Sequence, residues 1–93
     1  MIKGFRDKNA EKIYNNGKPK KVSVEVARVT LRKLRQLEAA TDLLDMSVPP
    51  SNRLELLKGN LKGYYSIRVN KQWRIIFKWD GTDAREVGLV DYH

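Results

Sequence analysis

The sequence predicts an α+β fold in which two to three N-terminal helices pack on a four- or five-stranded, mostly antiparallel sheet. Two observations support this prediction. Apolar residues recur at helical spacing as far as Pro49-Pro50, whereas residues from Ser51 onward alternate with a period of two. A length of 93 residues fits a single domain spanning residues 1–93 and leaves no room for a second one.

The first half of the chain begins with a predicted short strand at residues 2–5. Asp7 then has the position of an N-cap, and Ala10, Ile13 and Tyr14 follow at helical spacing. The run Asn15-Asn16-Gly17 is typical of a helix end. We therefore predict one short helix between these signals.

Ser23 is predicted to cap a longer helix that reaches Thr41 and covers the sheet. Its expected apolar face comprises Val24, Ala27, Leu31 and Leu34, and Arg28, Arg32 and Arg35 should face water. Residues 42–46 indicate a further short turn of helix. Pro49-Pro50 ends the helical half because proline cannot continue a helix.

The second half of the chain predicts an antiparallel meander. Residues 53–57 form its first strand, residues 58–63 a loop, and residues 70–72 and 80–83 the turns between three further strands. In these strands the residues expected to face the helices are Ile67, Val69, Trp73, Ile75, Phe77, Trp79, Val87 and Leu89, and only one of Tyr64 and Tyr65 can face inward.

The amino-acid composition limits the classes of function that the chain can have. Nineteen Lys and Arg against eleven Asp and Glu give a net charge of +8, for which a polyanionic partner is the leading explanation and solubility alone the alternative. The absence of Cys excludes disulfides and thiol nucleophiles, and a single His argues against zinc, so we predict no metal and no cofactor. Apolar runs are short and no signal peptide is evident, so we expect a soluble cytoplasmic protein without a membrane partner.

The candidate site lies on the sheet face opposite the helices. If Ile75 and Phe77 point inward, period two sends Arg74 and Lys78 outward, and the same rule sends Arg68 outward beside Arg74. Lys71, Lys78 and Tyr65 are further candidate substrate contacts, because cations beside aromatic rings suit phosphates and bases. Two interpretations are open here: a phosphate clamp, or an ordinary pair of solvated arginines.

The final tripeptide Asp91-Tyr92-His93 adds the only imidazole of the chain. An imidazole moves protons near neutral pH, and a neighbouring carboxylate and phenol can orient it. Together with two arginines this combination suits phosphodiester chemistry on RNA, where the 2′-hydroxyl is the nucleophile and no metal is needed. A solvated polar tail is the alternative.

Four segments in this order carry a family resemblance: residues 53–59, residues 63–68, residues 73–77 and the final Asp91-Tyr92-His93. With the opening Met1-Ile2-Lys3-Gly4-Phe5, they make the chain similar to the HigB toxins of the RelE/ParE superfamily over essentially its full length. The resemblance implies a type II toxin that cleaves mRNA in the ribosomal A site. It also implies three partners: the ribosome, mRNA and a small helix-turn-helix antitoxin of the HigA kind.

The resemblance also implies residue roles. His93 is expected to be the general acid or base, supported by Asp91 and Tyr92, while Arg74 and Arg68 hold the scissile phosphate. Lys58 assists in phosphate binding.

One departure concerns Glu55, where some relatives carry a second His. Either Glu55 transfers a proton or catalysis is weaker, and we favour weaker catalysis because a carboxylate repels a phosphate oxyanion. The alternative is that Glu55 has no catalytic role and is an exposed residue paired with a lysine.

Two other functions are compatible with the same fold. In the ParE branch of the superfamily the fold poisons DNA gyrase without nuclease chemistry, and an inactive module would only bind RNA or an antitoxin. The terminal Asp91-Tyr92-His93 argues against a gyrase poison. The missing second imidazole is the reason to consider an inactive binding module.

Overall fold

The computed structural model describes residues 1–92 and arranges them as helices against a four-stranded sheet. The helices are α1 (Lys8–Tyr14) and α2 (Val24–Ala39), with 3₁₀ turns at Leu43–Ser47, Pro50–Asn52 and Gly59–Leu61. The strands are β1 (Glu55–Leu56), β2 (Tyr65–Arg68), β3 (Trp73–Asp80) and β4 (Asp83–Asp91). They lie in the order β1-β2-β3-β4 and are all antiparallel, which confirms the predicted fold class.

Both helices begin at the predicted caps. The Asp7 carboxylate accepts a hydrogen bond from the Ala10 amide at 2.9 Å, and its second oxygen accepts one from the Leu89 amide at 3.0 Å. The Ser23 hydroxyl accepts a hydrogen bond from the Val26 amide. Asp7 therefore fixes the start of α1 to the last strand as well as capping the helix.

The buried stripe of α2 differs from the prediction. Val24 is 58% exposed, whereas Val26, Leu34 and Leu37 are buried. Val24 lies in the first turn, and the stripe that faces the sheet starts two residues later and includes Lys33. The helix also ends at Ala39 rather than Thr41, because Ala40 already has an extended backbone.

Two predicted strands are shorter than expected. Residues 2–5 form only isolated parallel bridges to β4, at Ile2 with Ala84 and at Phe5 with Val87. The first regular strand covers Glu55–Leu56 instead of residues 53–57. Its start is delayed because Arg53 has a left-handed backbone (φ 49°) that ends the preceding 3₁₀ turn.

The two faces of the sheet are both largely covered. Ile67, Ile75 and Phe77 belong to the core beneath the helices. Ser66, Arg74 and Ile76 alternate with them on the outer face, where Ile76 has 0% exposure. Part of the outer face is covered by residues from outside the sheet, because the Arg6 side chain lies against Gly88 and the Arg53 carbonyl accepts a hydrogen bond from Arg74.

A β-bulge interrupts the pairing of β3 with β4. Ile76 pairs with Gly88 and Lys78 with Arg85, so that Glu86 and Val87 both lie opposite Phe77. Glu86 takes a left-handed conformation (φ 50°). The extra residue directs Val87 into the core and leaves Glu86 exposed.

Within residues 1–92, neither α-helix combines the length and the apolar character needed to cross a membrane.

Candidate functional site

Arg68 and Arg74 are directly opposite each other in the β2–β3 hairpin, as the alternation predicts. Both belong to the outer face of the sheet. The hairpin tip is closed by Asn70, whose side-chain oxygen accepts hydrogen bonds from the amides of Gln72 and Trp73 at 2.8 and 2.7 Å. This closure sets the register that brings the two arginines together.

The arginines line a small pocket of about 230 Å³ at the tip of this hairpin. We call it the cationic pocket, and it is formed by Arg53, Arg68, Asn70, Lys71, Arg74 and Tyr92. Four of these six residues are cations. A space of this kind favours an anion such as a phosphodiester.

Arg74 is the most constrained cation of the pocket, with only 9% of its surface exposed. One terminal nitrogen donates to the Arg53 carbonyl at 3.0 Å and lies 3.3 Å from the Glu55 carboxylate. The guanidinium carbon is 5.4 Å from the centre of the Tyr92 ring. Among residues 1–92 its buried Nε has no hydrogen-bond partner, so the guanidinium is only partly compensated.

Arg53 contributes to the pocket without having been assigned a role from the sequence. Its carbonyl is presented to Arg74 because of the left-handed conformation that follows the Pro50–Asn52 turn. That turn is anchored by the buried Asn52, which donates to the carbonyls of Met46 and Val48 at 3.0 and 3.3 Å. The only sequence signal for this arrangement is the Pro49-Pro50 pair, and it does not specify the turn geometry.

The last strand reaches the pocket through Tyr92. Its amide donates to the Gln72 carbonyl, and the neighbouring Asp91 is paired with Trp73. The Asp91 carboxylate accepts a hydrogen bond from the Gln72 side chain at 3.0 Å. The register places Asp91 on the Trp73 side of the sheet and Tyr92 on the Arg74 side. His93, the predicted proton carrier, lies outside the described residues.

The predicted substrate contacts are distributed over several places. Lys71 lines the cationic pocket, and Glu55 pairs with Arg74 rather than with a lysine. The structure does not bring Tyr65 there, because its ring packs on the core side and stacks on Phe77 with centroids 6.1 Å apart. Lys58 is exposed beside a separate cavity that Leu56 and Leu57 also line.

Lys78 belongs to a second group on the outer face, which we call the paired cluster: Arg6, Tyr64, Lys78 and Glu86. The Tyr64 hydroxyl donates to Glu86 at 2.7 Å, and the Lys78 ammonium lies 3.3 Å from the same carboxylate. The hydrogen bond from Tyr64 and the neighbouring Lys78 lower the pKa of Glu86. The same hydrogen bond raises the pKa of Tyr64.

Metal ligands are not grouped in the part of the chain that the structure describes: no three Asp or Glu side chains within residues 1–92 are close enough to hold an ion.

Comparison with known families identifies the chain. Residues 3–93 match the model of the HigB-like toxins, described as the RelE-like toxin of the type II toxin–antitoxin system HigB. The chain belongs to this family. Its pocket-forming segments all lie within the matched range.

Two relatives support the assignment. The chain is 46% identical over 84 residues to Toxin HigB-1 of Vibrio cholerae, covering 88% of each protein. It is 33% identical over an alignment of 94 residues to Endoribonuclease HigB of Proteus vulgaris, covering 100% of each.

Solved structures show the same fold at lower identity. The toxin–antitoxin complex YoeB-YefM from Staphylococcus aureus matches with a TM-score of 0.62 and 19% identity, covering 100% of this chain and 98% of that one. YafQ from E. coli matches with a TM-score of 0.60 and 14% identity, covering 98% of this chain and 91% of that one. These similarities concern the fold alone.

Proposed function

We propose that the chain is an endoribonuclease toxin that cleaves mRNA on the translating ribosome. The observation that carries the proposal is the buried, only partly paired Arg74 facing Arg68 in a pocket of four cations. The name of the Proteus vulgaris relative, Endoribonuclease HigB, supports the same activity.

The reaction we propose is an attack of the 2′-hydroxyl on the adjacent phosphorus. A bond forms between the 2′-oxygen and phosphorus, and the bond from phosphorus to the 5′-oxygen breaks. One proton leaves the 2′-hydroxyl and another reaches the departing 5′-oxygen, which gives a 2′,3′-cyclic phosphate and a 5′-hydroxyl. Negative charge increases on the phosphate oxygens, where Arg68 and Arg74 stabilise it.

Proton transfer is assigned to His93, because it is the only imidazole of the chain and directly follows Tyr92. Tyr92 packs its ring on Arg74 and helps to exclude water from that guanidinium. Asp91 supports the end of the strand through Gln72. Lys71 adds charge at the mouth of the pocket.

Glu55 has a positioning role in this proposal. Its carboxylate lies 3.3 Å from Arg74, so its charge is compensated and does not confront the phosphate alone. Catalysis is then weaker than with a second imidazole at this position, because Glu55 orients the arginine and leaves proton transfer to one histidine.

The experiment uses purified chain, translating ribosomes and a defined message. Primer extension should show cuts within the translated region, and the fragments should carry 5′-hydroxyl ends. The same RNA without ribosomes should be cut far more slowly. Intact message in the presence of active ribosomes would refute the proposal, and a parallel supercoiling assay would then test the gyrase alternative.

We also propose an antitoxin partner, of helix-turn-helix type, that binds the chain in the cytoplasm. The support is membership of a toxin–antitoxin family and a net charge of +8, which favours an acidic protein surface. Coexpression of the adjacent open reading frame should restore growth and give a complex that purifies as one species. Continued growth arrest with the coexpressed protein present would argue against this partner.

A further inference from the structure

A second cavity of about 370 Å³ lies on the helix side of the β2–β3 hairpin tip. It shares Arg68, Asn70 and Lys71 with the cationic pocket, so the two cavities adjoin around the tip. Its other wall is α2, which contributes Arg32 and Lys33. A continuous positive surface therefore runs from Tyr92 to α2.

Lys33 is unusual because it is a buried cation, with only 7% exposure. Its ammonium donates a hydrogen bond to the side-chain oxygen of Asn52, which is itself fully buried. Burial, together with the positive charge of Arg32, lowers the pKa of Lys33. An anion beside it would offset both effects.

Among the described residues, those that line this second cavity include no Asp or Glu. Among residues 1–92, the ion pairs between side chains are Arg74 with Glu55, Lys78 with Glu86 and Arg85 with Asp80. Arg32, Lys33, Arg68 and Lys71 take part in none of them within the described chain. Four such cations around one cavity, one of them buried, are typical of an anion site.

We propose that this cavity binds a phosphate of the RNA strand that flanks the cleaved bond. We call it the α2 anion site, formed by Arg32, Lys33, Ser51 and Lys71. The identity of the strand rests on the proposed function, whereas the affinity for a phosphodiester does not. Because Arg68 and Lys71 line both cavities, one strand occupies them together, with the scissile phosphate beside Arg74.

The test is a binding measurement with a short, fully 2′-O-methylated RNA, which lacks the nucleophile and stays intact. Arg32→Gln is compared with Arg28→Gln, because both arginines are exposed on α2 and only Arg32 lines the cavity. We expect Arg32→Gln to weaken binding about tenfold and to reduce the salt slope by about 0.7, the value for one phosphate of a single strand. Arg28→Gln should change affinity less than about twofold.

Two further measurements complete the test. A 2′-O-methylated dinucleotide has a single phosphate, which can occupy either cavity, so Arg32→Gln should weaken its binding less than that of the longer RNA, which spans both. Addition of the longer RNA should raise the pH at which the Lys33 ammonium titrates by NMR, since a bound anion favours the charged form.

Equal losses for Arg32→Gln and Arg28→Gln, or an unchanged Lys33 titration, would overturn the proposal. If Arg32→Gln weakened binding to ribosomes but not to the free RNA, the ligand of the α2 anion site would be ribosomal RNA. That result would overturn the assignment to the substrate strand. Cleavage is not needed for these readouts, so failure of the proposed nuclease activity is detected separately.

Discussion

Two groups of cations share the outer face of the sheet and differ in how their charges are compensated. In the paired cluster, Lys78 and Tyr64 both contact the Glu86 carboxylate. In the cationic pocket, one carboxylate, Glu55, contacts Arg74, while Arg53, Arg68 and Lys71 form no ion pair within residues 1–92. Among the described residues, the paired cluster thus has one carboxylate for two cations, Arg6 and Lys78, whereas the cationic pocket has one for four.

How the cations are paired distinguishes binding from solubility as their use better than the total charge does. A net charge of +8 is compatible with either use of the cations. Exposed pairs such as Lys78 with Glu86 contribute little to stability because water screens them. Arg74 is buried and only partly compensated, which is unfavourable for folding.

The largest loss of cleavage is expected for His93→Ala. Loss of a positioned proton carrier should lower the cleavage rate on ribosomes by roughly 10²- to 10⁴-fold. The pH dependence of the rate should also differ between the wild type and the variant, because the variant has lost a group that exchanges protons. The measurement is single-turnover cleavage followed over a range of pH. An unchanged rate and profile would remove His93 from the mechanism.

A smaller effect is expected for Glu55→Gln. The amide keeps the shape of the side chain but loses the charge that orients Arg74, so the rate should fall about tenfold. Glu86→Gln is the matched control, because it removes an exposed carboxylate from the paired cluster and should change the rate less than about twofold. Equal losses in both variants would mean that the two groups of charges do not differ in function.

The smallest effect concerns stability and belongs to the paired cluster. The pKa of Glu86 is lowered in the folded protein by its hydrogen bond from Tyr64 and by Lys78. Its contribution to stability is therefore present at neutral pH and is lost as the pH falls through the folded-state pKa. We expect Glu86→Gln to lower the Tm slightly at pH 7, and we expect this difference from the wild type to shrink as the pH falls through the lowered folded-state pKa of Glu86. A difference in Tm between Glu86→Gln and the wild type that widens toward low pH would contradict this expected pH dependence.

Features governed by local rules were predictable from the sequence. The caps Asp7 and Ser23 depend on a few neighbouring residues, and both are confirmed. The opposition of Arg68 and Arg74 follows from strand alternation and a short turn, and it is also observed.

Features that depend on distant contacts were not predictable. The burial of Lys33 requires Asn52, which lies 19 residues away. The left-handed backbone of Arg53 is set by the preceding turn and shortens β1. Similarly, only one of two adjacent tyrosines can face the core, and it is Tyr65 that stacks on Phe77. The sequence alone does not distinguish it from Tyr64.

The most direct test of the role of the cationic pocket compares Arg74→Gln with Lys78→Gln. Both residues project from β3 to the same face and lose the same charge, but only Arg74 lines the cationic pocket. Cleavage on translating ribosomes should fall by roughly 10²-fold or more for Arg74→Gln, the range for losing a charge stabiliser, and stay within about threefold for Lys78→Gln. Circular dichroism should show that both variants are folded. Equal rates in the two folded variants would contradict the assignment of the chemistry to the cationic pocket.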